Sequence, residues 1–212
     1  MPGHHLDDIV IFAIDSPAAT LLLAVIVLAS LVGLYLAPSI VERNLFRPFW
    51  LVSRRQYPTL VISAFLHADL THLIFNAFTF WAFGFALERA IGTPRFVALY
   101  AFGLLLSNLG TYLKQRHNPA YQCLGASGAI LAVLFASIVY FPTGSIFILP
   151  IPVPIPAPLF ALGYLAYSIY ASRQARGRVN HDAHLAGAVA GVGFVALTDF
   201  NALTRAIRLI LG

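Results

Sequence analysis

The chain has 212 residues, 59% of them hydrophobic and only 10% charged. A soluble domain carries about 25% charged residues, so the composition excludes a soluble fold and defines an integral membrane protein. Thirteen Lys and Arg against eight Asp and Glu give a net charge of +5, clustered in short segments between apolar runs, the pattern of membrane topology rather than of nucleic-acid binding.

Residues 1–17 form a short tail. His4 and His5 are adjacent but have no further ligands beside them, so they read as tail residues rather than a metal site. The first 16 residues contain no Lys or Arg, and no cleavable signal peptide is expected. Ser16 and Pro17 suit the N-cap and first position of a helix. Ala18 to Ala37 then supplies the roughly 20 uncharged residues that a bilayer core requires, and Pro38 ends the run. The segment from Ser39 to Ala68 mixes Leu45, Phe46, Phe49 and Trp50 with Arg43, Arg47, Arg54 and Arg55. Aromatics beside arginines suit the headgroup region, so part of this loop is expected to be helix lying in the interface.

The second span is expected over residues 70–88, with Asp69 as its N-cap. His72 and Asn76 are four apart and share one face of it. Polar side chains inside a membrane helix face protein or a water-filled cavity; a purely structural interhelical hydrogen-bond pair is the alternative. Glu88 and Arg89 read as the polar end of the span. The third span covers residues 95–113 and offers Gly103, Ser107 and Gly110 as a packing face. A polar loop, Lys114 to Tyr121, leads to Gly125-Ala126-Ser127-Gly128. The fourth span, 127–141, is only about 15 residues, roughly 22 Å of helix against a core of about 30 Å. Ser127 is therefore expected to lie recessed below the membrane surface. Pro150, Pro152, Pro154, Pro156 and Pro158 alternate with apolar residues, which predicts extended or polyproline-like backbone in an apolar connector. The fifth span covers 159–172. The sixth, 183–198, opens with His184 and carries Gly187 and Gly191 four apart. Residues 201–212 form a basic tail with a surface helix expected over Ala206 to Leu211.

The fold class is thus an all-α polytopic membrane protein with six transmembrane helices in one domain, residues 18–200. Even-numbered spans run in the same direction, so His72, Ser127 and His184 begin their spans in one layer of the membrane. A serine needs an adjacent base to act as nucleophile, and neutral histidine is the usual one. The positive end of the sixth span disfavours imidazolium at His184 and keeps that ring available. Gly187 and Gly191 would let the sixth span approach the fourth near Gly128 and Ala132. The free N–H groups that start the fourth span point at any developing oxyanion, and His72 and Asn76 could add donors. Asp182 is expected to point elsewhere, which leaves a Ser–His dyad.

The stretches His67-Ala-Asp-Leu-Thr-His72-Leu-Ile-Phe-Asn76, Leu87-Glu88-Arg89-Ala-Ile-Gly92, Gly125-Ala-Ser127-Gly128 and Ala183-His184-Leu-Ala-Gly187-Ala-Val-Ala-Gly191 together resemble the rhomboid intramembrane serine proteases. The resemblance implies that Ser127 is the nucleophile and His184 the general base. It implies an oxyanion hole of His72, Asn76 and the Ser127 amide, with Gly125, Gly128, Gly187 and Gly191 packing around the dyad. It implies no metal or cofactor and a transmembrane-helix substrate cut in or near the bilayer; the expected location is multi-pass in the bacterial inner (plasma) membrane. Two positions depart from the family pattern. Pro58-Thr59 stands where many rhomboids carry Trp-Arg, and Leu131 stands one turn after the serine where many carry an aromatic.

Two other readings use the same residues. An inactive relative would bind transmembrane helices without cutting them, but such relatives typically lose the serine or histidine. A transporter or metal-handling protein would use His67 with His72, or His181 with His184, but no mid-span carboxylate completes such a site, and one cysteine, Cys123, permits no thiolate cluster. No His-Glu-x-x-His and no pair of mid-span aspartates is present for another class of intramembrane protease. Basic residues favour the Ser127 face: Arg43, Arg47, Arg54, Arg55, Lys114, Arg116, Arg173, Arg176 and Arg178, against Arg89, Arg95, Arg205 and Arg208. By the positive-inside rule that face would be cytoplasmic, against the usual orientation of the family.

Overall fold

The computed structural model describes residues 14–148, 151–174 and 180–212; His4, His5, Pro150, Arg176 and Arg178 lie outside them. Long apolar stretches without internal breakers form helices, and prolines mark where they begin. Helix α1 covers Pro17–Leu31 and continues as a π-helical turn, Val32–Leu36. The first loop contains α2 (Pro38–Arg43), a 3₁₀ turn (Pro48–Trp50), α3 (Thr59–Ile62) and a second 3₁₀ turn (Ser63–Phe65). Then come α4 (Leu70–Ile91), α5 (Thr93–Gln115) and α6 (Ser127–Tyr140). A hairpin of β1 (Ser145–Ile148) and β2 (Ile151–Pro156) precedes α7 (Ala157–Gln174), α8 (His181–Thr198) and α9 (Phe200–Leu211).

Helix α6 is the axis of the bundle. Every residue from Gly128 to Val139 is buried, with α4, α5 and α8 packed against it. This explains its shortness: a helix of 14 residues, about 21 Å long, is enclosed by its neighbours rather than matched to the bilayer. By length and composition Pro17–Leu36, Leu70–Ile91 and Thr93–Gln115 are each long and apolar enough to cross a membrane. The second cluster of apolar side chains joins Leu131, Leu134, Phe135 and Ile138 of α6 to Phe160 and Tyr164 of α7.

Helix α1 is capped differently from expectation. Ser16 makes no side-chain cap; its hydroxyl donates to the Phe85 carbonyl at 3.2 Å. The open N–H groups of Ala18 and Ala19 instead donate to the two carboxylate oxygens of Glu88, at 3.1 and 2.7 Å, and Thr93 Oγ1 donates to the same carboxylate at 2.7 Å. Glu88 is therefore not the polar end of its span. It is 1% exposed, and α4 continues past it to Ile91. A buried carboxylate requires such partners, and the start of α1 supplies two otherwise unsatisfied donors.

The proline-rich connector is extended, as its composition requires, but it is a strand in a hairpin rather than free polyproline backbone. Ile146 pairs with Ile155 and Phe147 with Pro154 in antiparallel register. Prolines at alternate positions of β2 lack amide donors, which weakens the strand as a template for a further one.

The first loop is a platform for the segment before Ser127. Phe46 and Cys123 exchange backbone hydrogen bonds of 2.9 and 3.0 Å, and Gly125 N–H donates to the Ser63 carbonyl at 2.9 Å. A tryptophan–arginine pair does occur in this loop, although not at Pro58-Thr59: the Arg54 guanidinium sits 3.8 Å above the Trp50 ring. At the other end of the molecule, α9 turns 113° from α8 and begins six residues earlier than the surface helix expected over Ala206 to Leu211.

Candidate active site

Ser127 opens α6, and His184 lies in the first turn of α8. Their approach is set by small residues. A Cβ at Gly187 would collide with the carbonyl oxygen of Gly128, and one at Gly191 with that of Ala132, so α8 rests directly on the α6 backbone. At this separation His184 Nε2 and Ser127 Oγ are 2.8 Å apart. Gly125 has φ +126°, and a Cβ there would lie 2.7 Å from His72 Cε1. This glycine is required both by the backbone conformation and by the His72 ring packed over it. Asp69 accepts from the His72 N–H at 2.8 Å, the expected N-cap of α4. Asn76 is 7% exposed, and its Nδ2 donates to the His72 carbonyl one turn back at 3.1 Å.

His72, Asn76, Ser127, Leu131 and His184 all line one cavity of about 1070 Å³. Its walls are Phe75 and Thr79 of α4 on one side and Phe160 and Tyr164 of α7 on the other. The cavity therefore lies between these two helices and is amphipathic, with His72, Asn76, Ser127 and His184 near the starts of their helices.

Sequence reasoning missed Tyr164. Its hydroxyl is 2.9 Å from His184 Nδ1, and its ring lies within 27° of parallel to the imidazole at 6.4 Å between centroids. The aromatic neighbour absent at Leu131 is thus supplied from α7. Both ring nitrogens of His184 are engaged, Nε2 by Ser127 and Nδ1 by Tyr164. Asp182 points away, as expected: it takes Lys114 Nζ at 2.7 Å, the Ser172 hydroxyl at 2.6 Å and Gln115 Nε2 at 3.3 Å.

His67 stands behind His72, edge to face, with 4.8 Å between ring centroids. It is fully buried, and its Nδ1 is 2.8 Å from the Ser30 hydroxyl of α1. Burial, reinforced by neighbouring His72 and partly opposed by Asp69, pushes its pKa down to about 3. His67 is therefore a neutral support rather than a charged group. Burial likewise pushes the Cys123 thiol up to about 11, against smaller pulls from Tyr121 and Asn180, which keeps it unreactive. Among the described residues no group of three or more His, Cys, Asp or Glu could hold a metal ion.

A helical membrane bundle with a hydrogen-bonded serine and histidine lining one cavity defines a class, and comparison with known proteins gives the family. Residues 54–199 match the Rhomboid domain; the chain belongs to the rhomboid family. It is 31% identical over 146 residues to human "Presenilin-associated rhomboid-like protein, mitochondrial", covering 64% of this chain and 36% of that protein. It is 30% identical over 137 residues to "Rhomboid protein 1, mitochondrial" of Saccharomyces cerevisiae, covering 63% and 40%. Bacillus subtilis "Putative rhomboid protease YdcA" is 38% identical over 82 residues, 39% of this chain and 40% of that one. The matched region thus spans well under half the length of these relatives.

Proposed function

We propose that the protein is an intramembrane serine endopeptidase that hydrolyses peptide bonds in or near transmembrane helices of other membrane proteins with a Ser127–His184 dyad. The observation that carries this reading is the 2.8 Å contact between Ser127 Oγ and His184 Nε2 within a cavity walled by α4 and α7.

The chemistry follows from the proton positions. If Nε2 accepts the serine proton, neutral His184 carries its own proton on Nδ1 and donates it to Tyr164 Oη. Ser127 Oγ adds to the scissile carbonyl carbon as its proton passes to Nε2. The carbonyl oxygen, now negative, is stabilised by the Ser127 N–H, by Asn76 Nδ2 after it leaves the His72 carbonyl, and by the His72 ring. Imidazolium then protonates the departing amine, leaving an acyl-serine. Water, deprotonated by His184, releases the acid and restores the hydroxyl. No metal or cofactor enters this sequence.

In this reading α1 and α4 to α8 each cross the bilayer, with residues 18–200 as one membrane domain. The substrate helix enters between α4 and α7 from the lipid. Membrane residence itself follows from the fold and family; the bilayer of a bacterial cell gains no support from the relatives, several of which are named as mitochondrial.

The test is active-site labelling. The full chain, purified in detergent, is treated with a fluorophosphonate probe alongside Ser127→Ala and His184→Ala. Labelling confined to the unmodified chain is expected. A folded chain that takes no label would replace this reading with that of a helix-binding relative that does not cut.

A further inference from the structure

The C-terminal helix has no part in the site above, and its geometry is specific. Helix α9 has 12 residues, about 18 Å of length, too short to cross a core of about 30 Å. It turns 113° from α8, about 23° beyond a right angle, so a near-vertical α8 leaves α9 close to the plane of the membrane. The turn is pinned. Asp199 Oδ1 caps α9 by accepting from Ala202 N–H at 3.0 Å, and its Oδ2 accepts from the Tyr140 hydroxyl at 3.0 Å. Tyr140 is the last residue of α6, whose first is Ser127, so α9 lies at the face opposite the candidate site.

The sequence of α9 divides by face at 100° per residue. Asn201, Thr204, Arg205 and Arg208 fall on one arc, with Asn201, Arg205 and Arg208 exposed. Ala202 and Ala206 are buried against the bundle. Phe200, Ile207 and Leu211 are 63%, 47% and 80% exposed although they are large and apolar. They share a flank that adjoins the polar arc at Thr204, while Leu209, 56% exposed, lies on the other side of the buried face. An exposed apolar flank beside an arc of arginines, on a chain embedded in a bilayer, suits the headgroup boundary.

We propose that α9 is an in-plane anchor lying in the bilayer interface on the face opposite Ser127. Phe200, Ile207 and Leu211 sit in the acyl region, while Arg205 and Arg208 bind the phosphates of anionic phospholipids. The inference rests on the membrane fold alone and is independent of proteolysis.

The test is nitroxide depth measurement on the full chain in vesicles. Ile207→Cys and Arg205→Cys are labelled separately, with the signal of the unmodified chain subtracted. The oxygen-to-nickel-chelate accessibility ratio is expected to be several-fold higher at 207 than at 205. Ile210→Cys carries the same comparison if 207 does not tolerate the label. Equal ratios at the two faces would overturn the in-plane anchor. For the headgroup, spin-labelled phosphatidylglycerol and phosphatidylcholine are compared for association with the unmodified chain and with Arg205→Gln/Arg208→Gln. The double variant is expected to lose a measurable share of the preference for phosphatidylglycerol. An unchanged preference would overturn the assignment of these arginines.

Discussion

The Tyr164 hydroxyl lies 2.9 Å from His184 Nδ1, on the side of the ring opposite Ser127. It comes from α7, the helix that also walls the cavity. The contact holds the ring plane, so in the proposed mechanism the base is oriented by the same helix that walls the cavity. Tyr164→Phe keeps the ring and removes only the hydroxyl. A hydrogen bond to a group that becomes charged contributes about 1.5–3 kcal/mol, so kcat should fall about 10- to 100-fold with KM little changed. The check is steady-state cleavage of a transmembrane substrate in detergent, together with the pH–rate profile. Equal effects on KM and kcat, with an unshifted profile, would mean that Tyr164 only shapes the cavity.

Close backbone contact between α6 and α8 predicts a contrast between two glycines of one helix. A Cβ at Gly187 meets the Gly128 carbonyl, whereas nothing lies within 4 Å of one at Gly193. Gly187→Ala must push the helices apart at the level of Ser127 and His184, and overpacking of this kind costs about 1–3 kcal/mol. Fluorophosphonate labelling should be lost in Gly187→Ala and retained in Gly193→Ala. Full labelling of Gly187→Ala would mean that the site tolerates a looser approach.

Much of this arrangement was legible in the sequence because it depends on direction and spacing. His72, Ser127 and His184 each begin a helix of the same sense, and Gly187 and Gly191 are spaced to face one neighbour. Tyr164 was not legible. It sits within an apolar helix where tyrosine is ordinary, and nothing local sets the rotation of α7. The only signal was Phe160, Tyr164 and Tyr167 at helical spacing. Glu88 was misread for a related reason: its partners, Ala18 and Ala19, lie on another helix far away in the chain. The hairpin required knowledge of the partner strand, since alternating prolines alone also fit polyproline backbone.

Glu88 offers a stability test separate from catalysis. Its carboxylate takes two N–H groups of α1 and the Thr93 hydroxyl while 1% exposed. Glu88→Ala leaves these donors buried and unmatched, at about 1–3 kcal/mol for each group left unsatisfied. The unfolding midpoint in detergent should fall clearly, with residual folded protein labelling normally at Ser127. Glu88→Gln keeps one acceptor oxygen and should fall less. An unchanged midpoint in Glu88→Ala would mean that water reaches the start of α1.

His67 makes stability depend on pH with a definite sign. Its folded-state pKa is lowered to about 3, chiefly by burial, against about 6.5 in an unfolded chain. Below about 6.5 the unfolded state binds a proton that the folded state refuses, so unfolding is favoured as pH falls. The stabilisation is fully present above the unfolded value and declines toward pH 3, by up to about 1.4 kcal/mol per pH unit from this residue. His67→Gln can retain a hydrogen bond to Ser30 but cannot titrate. The unfolding free energy should therefore fall less steeply between pH 6.5 and pH 5 in the variant than in the unmodified chain. Equal slopes would show that water or local opening reaches His67 and lets it protonate in place.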